Sequence, residues 1–199
     1  MVVIGITGGV ACGKSFVAEQ FRSLGAVVID VDRIGHEVLR ESDVRAALVQ
    51  RWGDEVLDAD GQISRTAVGQ RVFAGNSYRR GNLEFLECLV HPKIGQRIRT
   101  RIEALSRDQP GKPVVVDAAL LIEANWAVFC DKLVFLEVSR ERRLARAKQR
   151  GWSESEFSAR EAAQGNLAMK QKQADWVMDN NGSAEHTFAE VQQFWRTLE

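Results

Sequence analysis

Cysteine, net charge and long apolar runs are all scarce in this chain. Its three cysteines, Cys12, Cys88 and Cys130, are spread across 199 residues. An odd number at that spacing excludes the disulfide framework of a small secreted domain, and no pair has zinc-type spacing. They read as reduced thiols of a cytoplasmic protein. Lys and Arg number 27 and Asp and Glu number 27, so the formal net charge is zero. Without a positive excess, global electrostatics attract neither nucleic acid nor an anionic membrane. No apolar run approaches the roughly 20 residues of a membrane-spanning helix. The chain opens directly on a strand-like segment, so no leader peptide is expected. Internal repeats and low-complexity tracts are missing too. The length suits one domain with insertions, or a core with a small accessory lobe.

What is present begins at once. Gly8-Gly9-Val10-Ala11-Cys12-Gly13-Lys14-Ser15 matches the phosphate-binding loop G-x-x-x-x-G-K-[ST] in full. Val2-Val3-Ile4-Gly5-Ile6 before it suits a buried strand, and Phe16, Val17, Phe21 and Leu24 after it recur at helical spacing. In a strand–loop–helix setting, successive backbone N–H groups converge on an anion at the helix's positive end. Lys14 would add a point charge at the β- and γ-phosphates, and the Ser15 hydroxyl would hold Mg²⁺. These residues imply nucleoside triphosphate binding.

The pattern predicts further strands at Val27-Val28-Ile29, Val114–Asp117, Lys132–Val138 and Trp176-Val177-Met178. Gly25 is a C′ stop for the first helix, and Ser153 with Glu156 forms a capping box. Helical stretches are predicted over 33–52 and from Ser64 to about Arg107, the latter interrupted at His91-Pro92. A final helix runs from about Ala184 to Leu198, and Asp58-Ala59-Asp60-Gly61 is a turn. Short apolar strands alternating with helices imply a mainly parallel α/β sheet covered on both faces. The helical block between the second and third strands is too long for a simple crossover and should form a lobe of its own.

A phosphate loop serves switches, motors and kinases alike. The Asn-Lys-x-Asp base-reading motif of GTPases does not occur, and Asp58-x-x-Gly61 matches their D-x-x-G only in a polar turn with no buried strand before it. Val114–Asp117 resembles a Walker B strand, but Ala118 stands where a hydrolase places its water-polarising acid. Carboxylates ending the second strand point elsewhere. Asp30 and Asp32 at i,i+2 in a strand would share one face beyond the sheet's carboxyl edge, where α/β proteins bind ligands. One could take a proton from an attacking hydroxyl. Six cations, Arg140, Arg142, Arg143, Arg146, Lys148 and Arg150, then crowd a helical segment. Arg142, Arg146 and Arg150 share one face at i,i+4, with Arg143 beside them. Such a segment reads as a lid that neutralises phosphoryl charge and excludes water, with Gly151 and a capped helix returning Arg160 toward the site.

Taken together, these pieces resemble the dephospho-coenzyme A kinase family. The resemblance runs over almost the whole chain: Ile6-Thr7-Gly8-Gly9 with Gly13-Lys14-Ser15, Val28-Ile29-Asp30-Val31-Asp32, His91-Pro92, Leu120-Leu121-Ile122-Glu123, Arg146, Arg150, Arg160 with Gln164, and Ala174-Asp175 leading to Asp179-Asn180-Asn181-Gly182. It implies a P-loop NTPase fold with a five-stranded sheet, a helical acceptor lobe at about 34–112, a lid at about 140–174, and a core from 1–33, 113–139 and 175–199. It further implies transfer of the ATP γ-phosphate to the ribose 3′-hydroxyl of dephospho-CoA with Mg²⁺. Asp32 would then be the general base, with Lys14 and Arg146 at the phosphates. Nucleotide would lie on Gly9, Val10, Ala11, Cys12, Gly13, Lys14, Ser15 and Phe16, with Asn180, Asn181 and Gly182 by the adenine. Thr7, Asp32, His91, Leu121, Glu123 and Arg160 would contact the acceptor. A monomer or weak homo-oligomer is expected. The chain departs from the family at Ala119 and at Asn166, both usually Pro, and at Phe16, often Thr. The Asn166 exchange is expected to loosen the lid's return path.

Overall fold

A computed structural model describes residues 1–73 and 79–198. Five strands, β1 (Val3–Gly8), β2 (Val27–Asp30), β3 (Val114–Asp117), β4 (Lys132–Glu137) and β5 (Trp176–Asp179), form one sheet in the order β2-β3-β1-β4-β5. Every pairing is parallel. This is the sheet that the apolar runs imply. Helices α1 (Lys14–Ser23), α2 (Val31–Val38), α3 (Ser42–Trp52), α4 (Arg65–Phe73), α5 (Arg79–Asp108), α6 (Arg140–Gln149), α7 (Glu154–Ala163), α8 (Leu167–Gln173) and α9 (Ala184–Arg196) join the strands. The chain divides into two compact units, Met1–Val31 with Arg99–Glu199, and Asp32–Ile98.

In the first unit, strand periodicity sends Ile4 and Ile6 to one face of the sheet, where both are fully buried with Phe21 of α1 and Phe194 of α9. The two phenylalanine rings meet edge to face at 5.8 Å, and Trp176 of β5 closes on Phe194 at 5.6 Å. The opposite face at Gly5 has no room for a side chain: a Cβ there would lie 2.6 Å from Leu121 Cδ2 and 2.8 Å from Cys130 Sγ. β1 is therefore buried on both faces, as a central parallel strand must be.

In the second unit, buried Val44, Leu48, Val68, Val72, Val90, Ile94 and Ile98 supply the core. The Trp52 indole N–H donates to Asn82 Oδ1 at 3.3 Å, and Asn82 Nδ2 to the Arg71 carbonyl at 3.0 Å. The helix predicted over 33–52 starts instead at Val31 and breaks between α2 and α3. Glu41 adopts extended backbone at the α3 N-cap, and its carboxylate accepts from Lys93 Nζ at 2.8 Å and Arg97 Nη2 at 2.8 Å. Those two partners, Lys93 foremost, hold the Glu41 carboxyl below its ordinary value.

The interruption expected at His91-Pro92 does not occur, because α5 runs through Pro92 from Arg79 to Asp108. Proline costs a helix about 3 kcal/mol. Val90, Ile94 and Ile98 are buried around it on the same helix, and each such side chain contributes roughly 1.5–3 kcal/mol. Packing overrides the local penalty. Residues 74–78 of the predicted helical stretch lie outside the described residues. Gly25 follows the α1 C-cap at φ 106°, as a C′ glycine should. The 58–61 turn is present, with Asp58 Oδ1 accepting from the N–H groups of Asp60 and Gln62.

Candidate active site

Between β1 and α1 the chain turns through Gly9–Gly13, with the Cys12 N–H donating to the Gly9 carbonyl at 3.1 Å. Ala11 sits at φ 58°, a left-handed setting that costs an L-residue about 1–2 kcal/mol. Gly13 is needed twice over. Its φ is 96°, and a Cβ would come within 2.8 Å of Asn180 Nδ2 and 3.3 Å of Arg146 Nη1.

Those two groups fix the loop. The Cys12 carbonyl accepts from Arg146 Nη1 at 2.8 Å and from Asn180 Nδ2 at 2.7 Å. In a trans peptide the C=O and the following N–H point opposite ways, and the chain has no cis bond among the described residues. Pinning the Cys12 carbonyl therefore directs the Gly13 N–H away from Arg146 and Asn180. It joins the first N–H groups of α1, which have no partner within their own helix. Lys14 Nζ lies 3.9 Å from Cys12 Sγ, and Ser15 is exposed in the first turn. The result is a donor-lined helix start suited to an anion.

Asn180 is itself locked. Its N–H donates to the Glu137 carbonyl at 3.0 Å, and its Oδ1 accepts from Thr187 Oγ1 at 2.6 Å. Arg146 Nη2 donates to the Asn180 carbonyl at 2.8 Å, so Arg146 spans two backbone carbonyls and keeps three further N–H donors. Partial burial lowers its pKa from the ordinary guanidinium value without discharging it near neutrality. Asn181 ties β5 to the start of α6: its Oδ1 accepts from the Ser139 N–H at 2.8 Å. Gly182 is covered by the His186 ring, which leaves no room for a side chain there. His186 Nε2 meets Asp179 Oδ2 at 3.1 Å.

The arginine segment packs on the loop through apolar contact as well as charge. Phe157 of α7 is fully buried in a cluster with Ala11 and Ala147, flanked by Val10, Leu144 and Trp152. Two of these residues belong to the phosphate loop. The Ser153–Glu156 capping box is present, so α7 starts where the sequence places it. The clustered arginines differ in burial. Arg142 and Arg150 are exposed, whereas Arg143 is buried and Arg146 half-buried. Arg160 stacks on the Trp152 ring at 4.2 Å. Asn166 has a role of its own on the return path: its Oδ1 caps α8 by accepting from the Ala168 N–H at 2.9 Å.

The acidic residues take a different arrangement from the one the spacing implies. β2 ends at Asp30 and α2 begins at Val31, so Asp32 lies in a first helical turn and the i,i+2 strand argument does not apply. Both carboxylates are on exposed residues. β3 intervenes between β2 and β1, which puts Asp117 in register with Ile6 on one side and Asp30 on the other. The carboxyl edge beside the phosphate loop thus carries Asp117 as well as Asp30. Thr7 is buried on β1.

Among the remaining expected acceptor residues, Leu121 is a core residue. Its side chain is fully buried against Gly5, and its carbonyl accepts from Trp126 and Ala127. Glu123 forms an ion pair with the buried ammonium of Lys170 on α8. His91 lies in α5, where burial lowers its pKa and Glu87 opposes the shift. Phe16 is exposed after Ser15. Phe157 and Lys170 are not marked by the sequence, since a lone Phe or Lys at helical spacing carries no motif, whereas Arg143 is marked only as one of the clustered lid cations.

The family model for dephospho-CoA kinase matches residues 2–186. The chain belongs to the dephospho-CoA kinase family. It is 39% identical over 199 residues to a dephospho-CoA kinase of Symbiobacterium thermophilum, covering 98% of this chain and 81% of that protein. Among solved structures it resembles TT1252 from Thermus thermophilus (TM-score 0.80, 31% identity, 100% of this chain and 98% of the other). It also resembles a dephospho-CoA kinase from Campylobacter jejuni (TM-score 0.74, 26% identity, 98% and 96%). This dephospho-CoA kinase family member is accordingly a phosphotransferase with a nucleotide-binding P-loop, and the family reaction is ATP-dependent phosphorylation of dephospho-CoA in coenzyme A biosynthesis. No helix among the described residues is long and apolar enough to cross a membrane.

Proposed function

We propose that this chain moves the γ-phosphate of ATP to the ribose 3′-hydroxyl of dephospho-CoA, with Asp32 as general base. The observation that carries the reading is the loop whose Cys12 carbonyl is held back by Arg146 and Asn180, leaving N–H donors and Lys14 for a triphosphate. Asp32 takes the hydroxyl proton as the oxygen attacks phosphorus in line. The bond to the β–γ bridging oxygen breaks, and ADP leaves with the negative charge that Lys14 and nearby N–H groups stabilise.

No group of three or more His, Cys, Asp or Glu residues able to hold a metal occurs among the described residues. One serine hydroxyl with nucleotide oxygens and waters suits Mg²⁺, which keeps much of its water shell. Ser15 would be the protein ligand, and Asp117 and Asp30 at the strand ends would accept from the metal's waters. Bound there, Mg²⁺ would screen charge on the β- and γ-phosphates. Asn180, Asn181 and Gly182 would adjoin the adenine, and His91, Thr7, Glu123 and Arg160 would serve the acceptor. We place the enzyme in the cytoplasm as a monomer or weak homo-oligomer.

A coupled assay of ADP release across acceptors tests the substrate; dephospho-CoA should stimulate release, and a flat response would reject it. Asp32→Asn should lower kcat about a thousandfold, within the range for general bases, while the affinity for a non-hydrolysable ATP analogue stays put. An undiminished kcat would remove Asp32 from the role.

A further inference from the structure

Arg143 has no part in the chemistry above, yet only 5% of its side chain is exposed. Its Nε donates to the Val138 carbonyl at 3.3 Å and its Nη2 to Glu161 Oε1 at 2.7 Å, while Phe157 lies under the guanidinium at 5.6 Å. Its Nη1 is buried and finds no hydrogen-bond partner among the described residues. A buried cationic donor without an acceptor is costly, so it calls for an explanation.

Its position supplies one. A Cβ built on Gly9 of the phosphate loop would lie 2.9 Å from Arg143 Nη1, 3.0 Å from Cζ and 3.2 Å from Cδ, and these are its three nearest atoms. Gly9 does not have a left-handed φ. Glycine is therefore demanded at position 9 by Arg143 and not by the backbone. On the far side, Glu161 of α7 accepts from both Arg143 and Arg140, the latter at 2.9 Å. One carboxylate thus holds two guanidiniums, and Glu141 in the first turn of α6 also interacts with both.

We propose that Arg143 is a positioning residue that ties α7 to the phosphate loop. Glu161 holds the guanidinium, and the guanidinium seats Gly9. The inference rests on the nucleotide-binding reading above.

The test is calorimetric binding of a non-hydrolysable ATP analogue, with kcat, KM for ATP and thermal midpoint measured alongside. Arg143→Ala should raise the analogue's Kd and KM about tenfold with a smaller change in kcat, and Arg143→Lys should recover part of the loss. Gly9→Ala should weaken binding similarly, because its methyl displaces the guanidinium. The decisive readout is the double variant, Gly9→Ala with Arg143→Ala, which should bind no worse than Arg143→Ala alone. Losses that multiply would overturn the coupling. Glu161→Gln should raise Kd about threefold, and wild-type affinity there would overturn the tie to α7. Should Arg143→Ala not fold, Gly9→Ala and Arg143→Lys still decide, since wild-type affinity in Gly9→Ala contradicts the proposal. A wild-type chain that fails to bind the analogue would sink the nucleotide-binding reading itself, a result distinct from tight binding by every variant.

Discussion

In the phosphate loop the working donors are backbone N–H groups, aimed by what holds the carbonyl on the other side of one peptide. In α6 and α7 they are long side chains, aimed by a carboxylate, an aromatic ring and two backbone carbonyls. The donors of the first arrangement are local, supplied by glycine at position 13 and a helix start, and only their aim is set from afar by Arg146 and Asn180. The second depends on which helix face is buried, and that face is chosen by Phe157 and Ala147 against Val10 and Ala11. A motif can encode the donors of the first kind of site in eight residues. The second kind must be assembled from residues scattered over many turns of helix.

The sharpest way to break this contrast is to remove the loop's one side-chain cation. Lys14→Ala should cost about a hundredfold to a thousandfold in kcat/KM, the scale for losing one preorganised charge-stabilising donor. Steady-state kinetics would show it, and a loss no larger than that of an α6 variant would erase the distinction. Arg146→Met comes next. Asn180 still holds the Cys12 carbonyl, so KM for ATP should rise only about tenfold, or about 1.4 kcal/mol. Ser153→Ala removes the α7 capping box and should lower stability by about 1 kcal/mol. Denaturant unfolding would read that loss, and KM for ATP should scarcely move. The smallest effect lies away from both regions. Burial, helped by the Asp131 charge, pushes the Cys130 thiol up to about 12. The folded chain therefore holds this proton more tightly than the unfolded one. The associated stability is intact below the ordinary thiol value of about 8.5 and erodes as pH climbs toward 12. Comparing melting of the parent and Cys130→Ala at pH 8 and pH 10 would isolate it, because only the parent carries the thiol's contribution.

The parallel sheet was legible because each strand is a short apolar run, and the loop because its context of strand and helix is contiguous in the chain. Pro92 misled because its local penalty is smaller than the burial of Val90, Ile94 and Ile98 around it. The Asp30–Asp32 geometry misled because a strand-to-helix junction falls between the two residues, and no residue there marks it. In the arginine cluster, i,i+4 spacing groups Arg142, Arg146 and Arg150, but spacing is silent about which side chains pack inward. The signal that could have singled out Arg143 within the cluster is Glu161, one helix later and shared with Arg140.

The bond from Asn180 Nδ2 to the Cys12 carbonyl joins residues 168 positions apart. During synthesis the glycine-rich segment leaves the ribosome 168 residues ahead of its brace. A nascent chain ending before β5 would thus present the complete nucleotide signature yet lack the clamp that turns its amide outward. Ribosome-bound fragments should stay indifferent to ATP until β5 and Asn180 are out, so ligand-assisted folding can act only after that point.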